Sequence, residues 1–475
     1  MTETADIIDI EAGVAPGSPA DALRRRRPHA RAQSQAAYTA LFDAPDLTAR
    51  ADAAVAPDAR TGTEHTAAPA GAAQPSATVR EAQSVATAGA GFPLAHRLAV
   101  ADFVVRIGTV PLATYSDLLA AAAPDLAAAI AALAPRAAAS GPFGHYPPSA
   151  LSAEDTDGRR WTPTTADTAA VGEKLAAGLA HAHLLVLRPR EASPRALDTL
   201  ASAGWTVDEI VTLSQLVTFI TYQVRVIHAL RVLGGGDAGP ASSAGVTDGL
   251  APVTPRAGAS ARDTDAVHIP PAFTQEQLWW EPWLPPLEKD ALTPAHYEGL
   301  VERPRAALPY FRLLARDPGI LRARTLADLD IFTNDDGGLG RAERELAAAA
   351  TSRLNGCVFC ASVHARAAAR FSGRRDDVQR LLDDGPDARI DETWDAVVSA
   401  ATALTRTPVA FGAAEVERLR AAGLTDQAVF DLASAAAFFN WANRLMLSIG
   451  EPRVNPDKLS VIRAYEETKQ PVPAR

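Results

Sequence analysis

The sequence is poor in several features, and each shortage excludes a class of protein. Only two of its 475 residues are cysteine, too few for the disulfide framework of a small secreted scaffold. No uninterrupted apolar run reaches the ~18 residues expected of a membrane span. The N-terminal stretch Met1 to Asp6 lacks the basic and apolar regions of a secretory signal. These absences predict a soluble, cytoplasmic protein that does not enter a membrane.

Positive charge is also in short supply. The formal net charge is −10, which argues against a general binder of nucleic acid or anionic lipid. The local basic run from Arg24 to Arg27 is expected to form a solvated helix face. Hydrophobic residues make up 47% of the chain, enough apolar mass for packed cores.

Long strand-like alternation is missing, whereas apolar residues recur at helical spacing throughout. Clear helical patterns cover residues 172–187, 207–233 and 426–449. The second of these opens with Thr206 and Glu209, which form a capping-box pattern. The sequence therefore predicts an all-α fold.

Two stretches, residues 46–90 and 234–268, contain few large apolar residues and many Ala, Gly, Ser, Thr, Pro and Asp. Such compositions do not offset the entropy of ordering, so we expect a flexible segment and a flexible linker. The remaining chain divides into an N-terminal helical extension (1–45), a first helical domain (91–233), an aromatic arm with leading helices (269–335), a second helical domain (336–450) and a C-terminal tail (451–475). The aromatic arm is expected to pack on another domain or subunit.

The two helical domains are copies of one unit. Residues 200–206 resemble residues 419–425, and the spacing of 219 residues holds through Arg225 and Arg444. Further upstream the spacing is 247 residues, so the first copy carries about 28 extra residues, which we assign to a loop at 140–170. Two tandem helical domains are therefore predicted.

The two cysteines, Cys357 and Cys360, lie three residues apart, and His364 follows one helical turn later. Asn355 and Gly356 form a turn pair just upstream, and a helix is expected from Ala361 to Phe371. In a helical first turn the three side chains share one face, and the helix dipole is expected to lower the pKa of the thiols. This arrangement favours a redox centre. Three zinc ligands, or two inert buried thiols, are the alternatives.

One further residue completes a known signature. Glu345 precedes the first cysteine by twelve residues. Together with the turn pair, the two cysteines and the histidine, it resembles the active-site signature of the alkylhydroperoxidase (AhpD-like) family, within the carboxymuconolactone decarboxylase superfamily. The resemblance covers most of residues 270–450 and, in degenerate form, residues 92–230. It implies an all-helical protein that assembles as a homo-oligomer.

The resemblance also implies roles for individual residues. Cys360 corresponds to the peroxidatic cysteine, Cys357 to its resolving partner, and Glu345 with His364 to the proton relay. The implied activity is the reduction of hydrogen peroxide or organic hydroperoxides, without cofactor or metal, with an unidentified disulfide reductant restoring the thiols. One departure is Phe359, which occupies a position that is histidine in the best-known alkylhydroperoxidase.

The first copy lacks this chemistry. Its residues at the positions of the two cysteines, the histidine and the glutamate are Val110, Ala113, Asp117 and Leu98. We therefore expect the first copy to have a structural role. Two other functions are open at this point: the lactone chemistry of the superfamily, whose members generally lack paired cysteines, and a non-enzymatic redox-sensing or oligomerisation module.

Overall fold

A computed structural model of the chain describes residues 6–42, 91–235 and 267–468. The predicted flexible segment at 46–90 lies almost wholly outside the described residues, as does most of the predicted linker at 234–268. The described part contains 20 α-helices and one small two-stranded sheet. The prediction of an all-α fold is confirmed.

The N-terminal extension and the first copy supply ten of these helices. They are α1 (Ile7–Ala12), α2 (Pro19–Arg25), α3 (Pro28–Phe42), α4 (Leu94–Gly108), α5 (Thr114–Ala122), α6 (Pro124–Ala137), α7 (Thr165–Val171), α8 (Glu173–Leu187), α9 (Pro194–Ser202) and α10 (Val207–Leu233). Helix α10 begins with the expected capping box, in which Thr206 and Glu209 each accept a hydrogen bond from the other's backbone N–H.

The rest of the described chain supplies the other ten helices and two strands. They are β1 (Trp279–Pro282), α11 (Pro294–Leu300), α12 (Pro309–Leu314), α13 (Pro318–Thr333), α14 (Arg341–Asn355), α15 (Val358–Ser372), α16 (Arg375–Asp384), α17 (Glu392–Thr405), α18 (Ala413–Ala421), α19 (Asp426–Ile449), β2 (Gly450–Arg453) and α20 (Pro456–Thr468).

The helix bounds follow the internal repeat. Helix α14 has the bounds of α4 moved by 247 residues, and α17, α18 and α19 begin 219 residues after α8, α9 and α10. The difference between these spacings arises between α6 and α8, where the first copy has a long connection with one short helix, α7. Only its first part matches the loop predicted at 140–170, because α7 begins at Thr165.

The two copies pack together through α10 and α19, which form the centre of the molecule. Rings of Phe219 and Tyr222 from α10 contact Trp441 of α19, with centroids 5.2 and 5.6 Å apart. Trp441 also donates a 3.0 Å hydrogen bond to Gln215. Among the described helices, α10 is long and apolar enough to resemble a membrane span, but 94% of its most apolar window is buried inside the protein. This burial is typical of the core helix of a soluble protein.

The basic run in the N-terminal extension is not the solvated face that the sequence predicts. Arg24 and Arg27 are each only 1% exposed. Arg24 pairs with Asp6 and Asp9, and Arg27 forms a 2.7 Å ion pair with Asp431 of α19. The prediction is wrong for these two arginines because buried carboxylates on neighbouring helices compensate their charges.

The aromatic arm packs on the second copy of the same chain. Strand β1 pairs antiparallel with β2, and Trp280 donates a 3.3 Å hydrogen bond to the Met446 carbonyl at the end of α19. Trp279 and Trp280 are both buried. A four-residue strand is too short to reveal itself by alternation, so the sequence gave no sign of this sheet.

Candidate active site

The thiol centre is built on the turn between α14 and α15. Helix α14 ends at Asn355, and Gly356 adopts a left-handed conformation with φ 82° that reverses the chain. The backbone N–H of Cys357 then donates a 2.9 Å hydrogen bond to the Ser352 carbonyl. Helix α15 begins at Val358, three residues before the predicted start at Ala361, so Cys360 lies in its first turn.

Cys357 and Cys360 lie side by side. Their Sγ atoms are 2.8 Å apart, both cysteines are free, and their exposed fractions are 1% and 4%. Cys357 occupies the N-cap position, with φ −84° and ψ 89°, and is therefore not part of the helix. The expectation that all three motif residues share one helix face is thus only partly correct, since Cys360 and His364 alone are helical.

The expected lowering of the thiol pKa is wrong for Cys357. Burial raises the pKa of Cys357 well above its usual value, and the adjacent Cys360 raises it further. Hydrogen bonds from the backbone of α15 act in the opposite direction but do not compensate. The favourable helix terminus is outweighed because a thiolate here loses almost all of its hydration. Cys357 is therefore a thiol at neutral pH.

Glu345 and His364 form the second part of the site. Helices α14 and α15 run back along one another, which brings Glu345 Oε2 within 2.5 Å of His364 Nδ1. The other carboxylate oxygen accepts a 2.6 Å hydrogen bond from Arg341 Nε. Burial alone would raise the pKa of Glu345, but the charges and hydrogen bonds of His364 and Arg341 lower it overall. Glu345 is therefore a buried carboxylate that fixes the imidazole orientation.

Aromatic rings enclose the histidine. The imidazole centroid lies 4.0 Å from the ring of Phe439 and 5.6 Å from that of Phe332. His364 keeps 16% of its side chain exposed, whereas Glu345 keeps 1%. No hydrogen bond joins His364 to either cysteine, all three of which belong to the described residues. Proton transfer between sulfur and imidazole therefore requires a bridging water or substrate atom.

A buried amide network supports the turn, and sequence reasoning missed it. Asn355 Nδ2 donates a 3.0 Å hydrogen bond to Asn443 Oδ1, and Asn443 Nδ2 donates a 2.9 Å bond to Ser352 Oγ. Asn440 lies beside them, 3.4 Å from Asn355 Nδ2. All four side chains are buried. Two asparagines in the otherwise apolar α19 were the available signal, since buried amides need partners.

A narrow pocket opens beside Cys357. It holds about 20 Å³, room for one water-sized molecule. Its lining is almost entirely apolar: Ile269, Trp280, Gly356, Cys357, Val358, Phe359, Met446, Leu447, Gly450 and Pro452. The aromatic arm thus forms one wall of the thiol pocket, a contact that sequence reasoning did not anticipate.

The first copy contains no counterpart of this centre. Leu98 is buried where Glu345 lies in the second copy, and Val110 is buried at the position of Cys357. Thr109, the equivalent of Gly356, has the same left-handed conformation, with φ 64°. The backbone of the turn is therefore retained in the first copy without its chemistry. In the described part of the chain, no three His, Cys, Asp or Glu side chains form a group suited to hold a metal ion.

The first copy instead contacts the turn of the second. Arg190 Nη2 donates a 2.6 Å hydrogen bond to the carbonyl of Leu354, near the end of α14. Glu154 forms a two-bond ion pair with Arg353, at 2.7 and 2.8 Å. Arg190 also stacks on the ring of Tyr146, 4.6 Å from its centroid. The extra connection of the first copy therefore packs directly against the residues that precede Cys357.

Comparison with known proteins adds a family to this geometry. The model of the carboxymuconolactone decarboxylase family matches residues 318–407. Among solved structures, the chain is similar to an alkylhydroperoxidase AhpD core, an uncharacterized peroxidase-related protein from Ralstonia eutropha JMP134. The identity is 27% over 35% of this chain and 88% of that one, with a TM-score of 0.32. No curated protein matches the chain. Residues 318–407, which hold Glu345, both cysteines and His364, are thus a segment of the carboxymuconolactone decarboxylase family, as the resemblance predicted.

Proposed function

We propose that the protein is a thiol-dependent peroxidase of the alkylhydroperoxidase kind. The observation that carries the proposal is the pair of free thiols, 2.8 Å apart, one helical turn from a histidine held by a buried carboxylate. Vicinal thiols can exchange two electrons by forming a disulfide, and a nearby acid–base group can manage the protons. The family match of residues 318–407 supports a peroxidase-related role.

The proposed cycle begins at Cys360. Its thiolate attacks one peroxide oxygen, an S–O bond forms, the O–O bond breaks, and the departing oxygen takes a proton from His364. The thiol of Cys357 then attacks the sulfenic acid, releasing water and closing the Cys357–Cys360 disulfide. The raised pKa of Cys357 supports this order, because a protonated thiol is a poor first nucleophile. A dithiol reductant returns two electrons and two protons to the pair.

The pocket supports a small substrate. A space of about 20 Å³ beside Cys357 admits a molecule of the size of hydrogen peroxide, whereas a bulkier organic hydroperoxide requires the aromatic arm to move. A lactone with a carboxylate would also need polar partners, and this pocket is lined mostly by apolar groups. We therefore favour peroxide chemistry over lactone chemistry. We also propose a cytoplasmic location and homo-oligomeric assembly, without nucleic-acid or membrane partners, consistent with the net charge of −10.

The thiols can be tested without interference, because the chain has no other cysteine. Reduced protein is mixed with hydrogen peroxide in a stopped-flow instrument, and thiols and peroxide are counted. We expect one peroxide consumed per two thiols lost. Cys357→Ser should still react once and leave a sulfenic acid that dimedone traps on Cys360. Cys360→Ser should react no faster than free cysteine.

Turnover separates the enzyme from a redox sensor. With excess dithiothreitol, wild-type protein should consume many equivalents of hydrogen peroxide, and Cys357→Ser should lose most of this turnover. A wild-type protein that oxidises no faster than free cysteine, or a Cys360→Ser variant that keeps the wild-type rate, would contradict the proposal. Slow stoichiometric oxidation without turnover would favour the sensing module.

A further inference from the structure

Tyr310 lies near the thiol centre, although it belongs to neither the cysteine motif nor its two helices. It is in the first turn of α12, and its ring meets that of Trp280 edge to face, with centroids 5.2 Å apart. Trp280 in turn forms a wall of the pocket beside Cys357. The phenol therefore lies directly behind the aromatic wall of that pocket.

The hydroxyl group of Tyr310 is buried and has no hydrogen-bond partner. Leaving a buried polar group unpaired costs about 1–3 kcal/mol. By contrast, the buried hydroxyl of Tyr115 in the first copy donates a 2.6 Å hydrogen bond to Gln223. An unpaired donor close to a reactive centre is the arrangement expected of a group whose acceptor is formed during the reaction.

Four charged or titratable groups surround this phenol. Burial raises the pKa of Tyr310, the guanidinium of Arg324 lowers it, and negative charge on Cys360, Asp328 and Cys357 raises it, in that order of influence. Both sulfurs are thus electrostatic neighbours of the hydroxyl, with Cys360 the stronger. Because its pKa is raised overall, the phenol keeps its proton at neutral pH and can donate a hydrogen bond but cannot act as a base.

Other groups of the pocket cannot supply this hydrogen bond. Phe359 brings no polar atom, and His364 makes no hydrogen bond to either thiol in the described structure. Arg324 lies 5.8 Å from the Tyr310 ring centroid and 5.2 Å from that of Phe438, with its Nε atom unpaired. Its positive charge makes the neighbouring phenol a stronger donor.

We propose that the Tyr310 hydroxyl is a catalytic hydrogen-bond donor that stabilises negative charge at Cys360. Its acceptor is first the Cys360 thiolate and then the peroxide oxygen that leaves. During O–O cleavage the electron pair goes to that oxygen, which takes its proton from His364, while Tyr310 keeps its own. The second acceptor rests on the proposed peroxidase function, whereas the first requires only a thiolate.

The test is Tyr310→Phe, which removes the hydroxyl and keeps the ring that packs on Trp280. The pH profile of Cys360 alkylation by iodoacetamide, followed by peptide mass spectrometry, reports the thiolate independently of peroxide. We expect the profile of Tyr310→Phe to move to higher pH, with alkylation at pH 7 falling several-fold. The rate of thiol oxidation by hydrogen peroxide should fall by about tenfold or more.

Tyr115→Phe is the matched control, because it also removes a buried hydroxyl but lies in the first copy, far along the chain from the thiols. It should destabilise the fold at least as much and move neither profile. If Tyr310→Phe keeps both the alkylation profile and the oxidation rate within twofold of wild type, the inference is overturned. If the alkylation profile moves but wild-type protein does not react with peroxide, the hydrogen bond stands and the peroxidase function fails.

Discussion

Arg225 and Arg444 occupy equivalent positions in the two copies, and each binds the end of a helix in the other copy. Arg225 donates 2.9 Å hydrogen bonds to the carbonyls of Leu404 and Thr405 at the end of α17. Arg444 donates a 3.1 Å bond to the carbonyl of Val186 at the end of α8, which is the counterpart of α17. Both guanidinium groups are buried. The contact is reciprocal, so the two copies form an internal pseudo-dimer.

These arginines should determine how firmly the copies are joined. Arg225→Met leaves buried helix-end carbonyls without donors, so the free energy of unfolding should fall by about 3 kcal/mol. Arg420→Met is the control, since its ion pair with Asp426 is about half exposed and should contribute less than ~1 kcal/mol. Urea unfolding at pH 7 gives both values. Equal losses in the two variants would contradict the structural role of Arg225.

The left-handed turn at Gly356 should tolerate no side chain. A Cβ atom there would lie 2.9 Å from Arg190 Cβ, and the φ of 82° is itself unfavourable for alanine by about 1–2 kcal/mol. Gly373→Ala is the matched control: its φ is 73°, but nothing lies within 4 Å of the added atom. Gly356→Ala should therefore lose clearly more stability in urea unfolding, by about 2 kcal/mol beyond the control. It should also slow thiol oxidation, which Gly373→Ala should leave unchanged.

Much of the fold could be read from the sequence because local signals and the repeat agree. The capping box at Thr206 fixes the start of α10, and the spacing of 219 residues carries that boundary to α19. The motif residues Glu345 and His364 were paired by resemblance, and the structure joins them at 2.5 Å. Local patterns sufficed here because each feature depends on residues close in sequence or on a motif with fixed spacing.

The features that could not be read depend on contacts between distant segments. Nothing around Tyr310 indicates that a helix of six residues brings its hydroxyl near a thiol almost fifty positions later. The pKa of Cys357 was predicted in the wrong direction, because the helix terminus is visible in the sequence and the burial is not. Arg24 and Arg27 were misjudged for the same reason, since their carboxylate partners come from other helices.

Glu345 should make the stability of the protein depend on pH in the acid range. Its pKa in the folded protein lies below the ordinary value of 4.5. The carboxylate therefore stabilises the fold above about pH 4.5, and this contribution is lost as the pH falls through the folded pKa. Glu345→Gln should cost about 2 kcal/mol at pH 7 and progressively less below pH 4.5. Glu417→Gln, which alters an exposed carboxylate of α18, is the control and should show no such trend in urea unfolding.

Trp280 should control which hydroperoxides reach the thiols. It lines the pocket of about 20 Å³ beside Cys357, whereas its neighbour Trp279 faces a separate groove on the other side of β1. Trp280→Leu enlarges the pocket, so the rate with cumene hydroperoxide relative to hydrogen peroxide should rise by about tenfold. Both rates are measured by stopped-flow oxidation of the reduced protein.

Trp279→Leu is the control for this substitution, because it removes an adjacent indole of the same strand that does not line the thiol pocket. Its ratio of rates should stay at the wild-type value, even though stability falls. An equal rise in both variants would mean that loosening of the arm, not the shape of the pocket, admits the larger substrate. An unchanged ratio in Trp280→Leu would mean that hydroperoxides approach Cys360 from the side of His364, where the imidazole remains 16% exposed.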